Sequence, residues 1–119
     1  PEGVAYSPRW MPQSLSRVYL HLVFSTKSRH PWLQDSVRES LYRFLGGIAA
    51  KHDCPSVTIG GVEDHVHIVC LLGRTISQSQ LIAELKRGSS LWIKETYPEM
   101  EAFAWQNGYG AFSVSQSNL

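Results

Sequence analysis

Cysteine is scarce in this chain. Its 119 residues contain two, Cys54 and Cys70, without the paired spacing of a cysteine-built zinc site. A reduced, cytoplasmic chain is therefore expected. Charge of one sign is also missing: the formal net charge is +1. That excludes a protein basic over its whole surface, so any nucleic-acid surface must be local. No apolar run is long enough to span a bilayer, and no signal-peptide pattern opens the chain. The apolar content, 43%, is ordinary and excludes wholesale disorder, and the length suits one domain with a single core.

What the chain does have is the run GGVEDHVHIVCLL, residues 60–72. It is β-rich and carries two histidines at i and i+2. On a strand, His65 and His67 share one face, while Val66, Ile68 and Cys70 share the other. Two imidazoles on one face, just after Glu63 and Asp64, can hold a divalent metal, and the opposite face can pack on a core, with Cys70 a core thiol. Taken alone, a His-x-His is a common pattern and equally fits a polar strand face.

The first 16 residues hold three prolines and little periodicity and read as a loose leader, in which Met11 is a candidate natural start. Residues 17–26 alternate as a strand. Val18, Leu20, Leu22 and Phe24 form one face; Tyr19, His21, Val23 and Ser25 form the other. A basic loop follows, with Lys27 and Arg29 placed to meet phosphate or simply to face solvent.

Asp35 or Ser36 starts a helix to about Lys51, with Val37, Leu41, Phe44, Leu45 and Ile48 at helical spacing and Ser36-x-x-Glu39 as a possible capping box. Residues 56–60 form a second strand, and Gly60-Gly61 turns the chain into the histidine strand. Ser77-x-x-Gln80 caps a second helix to about Thr96, its inner stripe Leu81, Ile82, Leu85, Ser89, Trp92 and Ile93 and its outer side Lys86, Arg87 and Lys94. Pro98 stops it. Residues 103–115 read as one or two strand segments broken at Asn107-Gly108-Tyr109-Gly110, and residues 115–119 read as the start of a further helix.

The order β-α-β-β-α-β predicts an α+β, ferredoxin-like fold: a four-stranded antiparallel sheet with two helices on one face. The first and third strands are then central neighbours. His21 lies on the same open face as His65 and His67, beside the apolar Val69 and Leu71.

Four ordered blocks carry a resemblance: YLHLVFSTK at 19–27, EDHVHI at 63–68, ELKRGSS at 84–90 and WQNGYGAFSVS at 105–115. Together they resemble the small insertion-sequence transposases of the HUH, single-tyrosine class, including the branch associated with repetitive extragenic palindromes. The resemblance runs from Arg17 to Leu119.

It implies an enzyme that cuts and rejoins single-stranded DNA at hairpin-bearing element ends through a 5′-phosphotyrosine intermediate. His65 and His67 are implied as catalytic ligands of Mg2+ or Mn2+, with His21 and Glu63 as candidate partners behind them. Lys27, Arg29, Lys86, Arg87 and Tyr109 are the candidate DNA contacts, and Trp105 either stacks on a base or belongs to the core. A homodimer paired through its sheets is implied, with no membrane association. The family's nucleophile lies on a helix after the Phe-Ser-Val-Ser block, so it is expected beyond Leu119, with Tyr109 a poor substitute. The alternative is a non-cleaving module, derived from a transposase, that binds single-stranded DNA hairpins.

Overall fold

The computed structural model describes residues 17–119. The expected leader, residues 1–16, and the candidate start at Met11 lie outside the described residues. Strand β1 (Tyr19–Ser25) leads through a short 3-10 turn at Lys27–Arg29 into helix α1 (Asp35–Lys51). Strands β2 (Ser56–Val62) and β3 (His65–Leu71) follow, then helix α2 (Gln78–Thr96) and strand β4 (Gly110–Val114). The sheet order is β2-β3-β1-β4, antiparallel throughout. This is the split β-α-β arrangement that the element order predicts, with β1 and β3 in the centre.

Alternation along the central strands decides which face is core. Leu20, Leu22 and Phe24 of β1 and Val66, Ile68 and Cys70 of β3 are buried. They meet Val37, Leu41, Leu45 and Ala49 of α1 and Leu81, Ile82, Leu85 and Ile93 of α2. Each fully buried aliphatic side chain contributes about 1.5–3 kcal/mol relative to an exposed one. Both helices therefore cover one face, and the histidine face is left open.

The capping pattern is realised at α2, where the Ser77 side chain accepts from the Gln80 amide at 3.1 Å and Gln80 Oε1 accepts from the Ser77 amide at 2.9 Å. At α1 it is not. The helix starts at Asp35, one residue before the expected Ser36 cap, and Gln34 at the N-cap makes no side-chain bond. Arg38 stabilises that end instead, donating to the Leu33 carbonyl at 2.7 Å and pairing with Asp35.

Two further expectations are corrected. Val18 is 45% exposed and lies one residue before the start of β1. Gly60 and Gly61 do not form the turn: both pair within β2, and Glu63-Asp64 turns the chain. Glycine is needed there for close approach, since a Cβ on Gly61 would stand 2.3 Å from the His65 carbonyl oxygen. The expected break at 107–110 is present: Gly110–Val114 forms a strand, and before the break Trp105 makes a single bridge to Thr26. Trp92 lies at the border of the inner stripe: it is half-buried, packs against the core and stacks on Phe44 at 5.0 Å.

Candidate functional site

The open face of the sheet is built row by row. Across the four strands, Gly60, His67, Val23 and Gly110 are register partners in one row. The adjoining row places His65 between Val62 and Ser25. His67 is thus flanked by small neighbours, and a Cβ on Gly60 would lie 3.0 Å from its Cε1 and Nε2. The glycine makes room for the imidazole.

His65 is oriented from the turn. Its Nδ1 lies 2.9 Å from Asp64 Oδ1. A carboxylate only accepts, so the proton sits on Nδ1, and in the neutral ring Nε2 keeps its lone pair. Asp64 is in turn held by Arg29, whose Nε donates to Oδ2 at 3.1 Å and Nη2 to Oδ1 at 3.4 Å. The Arg29 bonds, then that to His65, hold the Asp64 carboxyl below its usual range. Burial, reinforced by His21 and His65, lowers the pKa of His67 and so favours its neutral ring.

These features fit a divalent cation. Neutral imidazoles are the ligating form, and a carboxylate behind one ring nitrogen is the usual device that fixes a ligand's tautomer and orientation. Among the described residues no cluster of three His, Cys, Asp or Glu groups forms, so His65 and His67 are the donors that the sheet offers. His21 stands behind them: its ring is 5.6 Å from that of His67 and 6.1 Å from that of Phe112, and its Nε2 is buried without a hydrogen-bond partner. Of the two acids, Asp64 meets His65; Glu63 is exposed, and its backbone carbonyl accepts from Leu33.

The candidate DNA-contacting residues separate in space. Arg29, His65 and Tyr109 line one cavity of about 340 Å³. Lys86 is beside it but occupied: its ammonium donates to the Gln106 and Gly108 carbonyls, each at 2.7 Å, and lies 5.7 Å from the Phe24 ring centroid. Lys27 is exposed on the 3-10 turn. Arg87 pairs with Glu84 on α2. Trp105 belongs to the core: it packs edge-on to Phe24 and Phe103, and its Nε1 donates to Ser89 Oγ at 3.0 Å.

Residues that no spacing singles out complete the site. Gln106 ties two loops together, its amide donating to the Ser25 carbonyl and its Oε1 accepting from the Ser28 amide. Asn107 lines the cavity. A polar dipeptide between an aromatic anchor and a glycine is the one sequence signal they leave, and it does not distinguish a site from a loop.

A ferredoxin-like sheet with two histidines on its open face, His67 held toward its neutral form by burial and His65 oriented by an adjacent aspartate, defines the class. The sequence pattern of the IS200-like transposases matches residues 14–119. The chain belongs to this family of DNA-binding and DNA-recombining proteins. The ISDra2 transposase TnpA of Deinococcus radiodurans is 31% identical over 87 residues, which cover 71% of this chain and 61% of that protein. The chain thus spans less than two thirds of that relative's length.

Among solved structures, a Deinococcus radiodurans protein described as a transposase superposes with a TM-score of 0.79 at 22% identity, covering 99% of this chain and 88% of the other. A REP-associated tyrosine transposase bound to a REP hairpin superposes with a TM-score of 0.63 at 11% identity, covering 85% and 58%. Both show the same fold. Among the described residues no helix is long and apolar enough to cross a membrane.

Proposed function

We propose that this chain is the DNA-handling part of a transposase of the HUH, single-tyrosine class that acts on hairpin-bearing single-stranded DNA, in the cytoplasm. The observation that carries the reading is the pair His65 and His67, set on the open sheet face by strand alternation and backed by Asp64. These two residues would hold Mg2+ or Mn2+, which when bound supplies Lewis-acid polarisation and charge neutralisation at a phosphodiester. Two protein ligands leave coordination positions for phosphate and water.

The chain's own residues then orient the substrate. Asp64 keeps His65 in one tautomer and holds Arg29, which lines the cavity. The proposed nucleophile is a tyrosine on a segment following the FSVS block. Its hydroxyl attacks phosphorus, the P–O bond to the leaving 3′-oxygen breaks, and a 5′-phosphotyrosine link conserves the bond energy for rejoining. Tyr109 is a poor candidate for that role, because it sits in the loop immediately before strand β4 and not on a helix after the FSVS block.

A homodimer is part of the proposal. Val69 and Leu71 accompany the histidines on the open face, and Phe112 on edge strand β4 is 60% exposed. Together they supply an apolar surface that a second copy would cover.

The test is a covalent-adduct assay. The chain, with and without its native downstream segment, is incubated with Mn2+ or Mg2+ and with hairpin DNA from the flanks of its gene, then run on a denaturing gel. An adduct with the longer chain, lost on substitution of His65 or His67 by Ala, is the expected result. Hairpin binding without any adduct from either form would instead make the chain a non-cleaving binding module. No binding at all would sink the DNA reading.

A further inference from the structure

The cavity at the end of β1 is more specific than a phosphate contact requires. It lies between the Lys27–Arg29 turn and the Asn107–Gly110 loop, and its volume of about 340 Å³ falls at the small end of the range for ligand sites. Its walls are fixed by hydrogen bonds between distant segments. The Lys27 amide donates to the Ala104 carbonyl at 2.9 Å and the Gln106 amide to the Ser25 carbonyl at 2.8 Å. Lys86 clamps the far wall through two carbonyls. Gly108 turns that wall at φ +87°, a conformation that side-chain-bearing residues seldom adopt.

The groups that face this space have complementary chemistry. Tyr109 is 38% exposed and presents an aromatic ring to the cavity it lines. Every nucleobase has a face that stacks on such a ring. Asn107 adds an amide, a donor and an acceptor side by side, which matches the edge of a base. Arg29 uses its Nε and Nη2 on Asp64, and its remaining N–H groups are available to an oxygen of the ligand. His65 lines the same cavity.

We infer that the cavity walled by Arg29, His65, Asn107 and Tyr109 holds one unpaired nucleobase, the one attached to the phosphate that His65 faces. Tyr109 stacks on the base, Asn107 reads its edge, and Arg29 meets the adjoining phosphate. The inference rests on the DNA reading above and adds to it a point of sequence discrimination. Lys86 and Gln106 are positioning residues for this pocket.

Two measurements on the full chain test it. In the first, each of the four deoxynucleoside 5′-monophosphates, and deoxyribose 5-phosphate as the base-free control, is titrated while the NMR signals of the Asn107 side-chain amide and the Gly108 and Gly110 amides are followed. At least one nucleotide should produce saturable shifts there, at least tenfold tighter than the control. Tyr109→Ala should abolish the preference and Tyr109→Phe should keep it. Equal shifts with the control, shifts that map elsewhere, or no shifts overturn the inference.

In the second, hairpin DNA from the flanks of the gene is scanned with single abasic positions in its unpaired segment. One position should weaken binding about tenfold in the native chain and change nothing in Tyr109→Ala. A flat scan on DNA that still binds overturns the pocket and leaves the DNA reading standing. Nucleotide shifts without hairpin binding support the pocket and overturn the DNA reading.

Discussion

Asp64 Oδ1 lies 2.9 Å from His65 Nδ1, and the same carboxylate receives Arg29. One acid in a two-residue turn thus orients a candidate metal ligand and a candidate phosphate contact together.

Asp64→Asn should separate these duties from folding. The amide keeps the shape but loses the anion and presents a donor as readily as an acceptor, so His65 is no longer held in one tautomer. Partners of this kind typically account for 10–100-fold in metal affinity. Calorimetric titration with Mn2+ should show a loss of that order, with the thermal midpoint little changed, since the Arg29 side of the pair is largely exposed and such pairs contribute little. Unchanged Mn2+ affinity would remove His65 from the metal site.

The two glycines of β2 should behave differently on substitution by alanine. At Gly60 the new Cβ meets the His67 ring at 3.0 Å, and a ring can shift. At Gly61 it meets the His65 backbone oxygen at 2.3 Å, which shifts only if the strands part. Gly61→Ala should therefore cost stability, about 1–3 kcal/mol or more. Gly60→Ala should cost less and instead weaken Mn2+ binding. Urea unfolding and calorimetry on both variants separate the two effects.

Lys86 and Lys27 should differ in the salt dependence of DNA binding. Lys27 is exposed, and if it meets a phosphate its removal lowers the slope of log K against log[salt] by about one. The Lys86 ammonium is engaged by two carbonyls, and burial lowers its pKa. Lys86→Ala should weaken binding by loosening the 106–108 loop, leave the slope unchanged, and speed amide exchange at Gly108 and Tyr109. A slope change equal to that of Lys27→Ala would return Lys86 to direct phosphate contact.

Burial pushes the Cys70 thiol from 9.0 up to about 12. Above pH 9 the unfolded chain therefore gives up this proton while the folded chain keeps it. Stability is full below that pH and falls as pH rises toward 12, by about 1.4 kcal/mol per pH unit for a single group. Cys54 is raised by burial as well and acts in the same direction. Urea midpoints for native and Cys70→Val chains between pH 8 and 11 should converge as pH rises, because the variant lacks one such group. Parallel curves would mean that the thiolate forms inside the fold.

Periodicity explains most of what was legible in the chain. Alternation at 19–25 and 65–71 set the two central strands, and the 3.6-residue spacing of Leu81, Leu85 and Ser89 set α2, because each element buries one face. Their order then determined the sheet, its open face, and the grouping of His21, His65 and His67 upon it. These are local rules, and local residues carry them.

Contacts between distant segments carry the rest. Gly60-Gly61 looks like a turn in sequence, and only the packing of β2 on β3 shows why glycine is required inside a strand. Asp64 rather than Glu63 meets His65 because Arg29, 35 residues away, approaches that carboxylate. Trp105 is core because Ser89 on α2 accepts its N–H, and Lys86 is a clamp because the 106–108 carbonyls fold back over it. The sequence by itself determined the elements, the buried face and the histidine pair, since these follow from side-chain spacing along one segment. The tertiary structure alone decided which cation, imidazole and aromatic ring share a cavity, since that depends on where loops far apart in the chain meet.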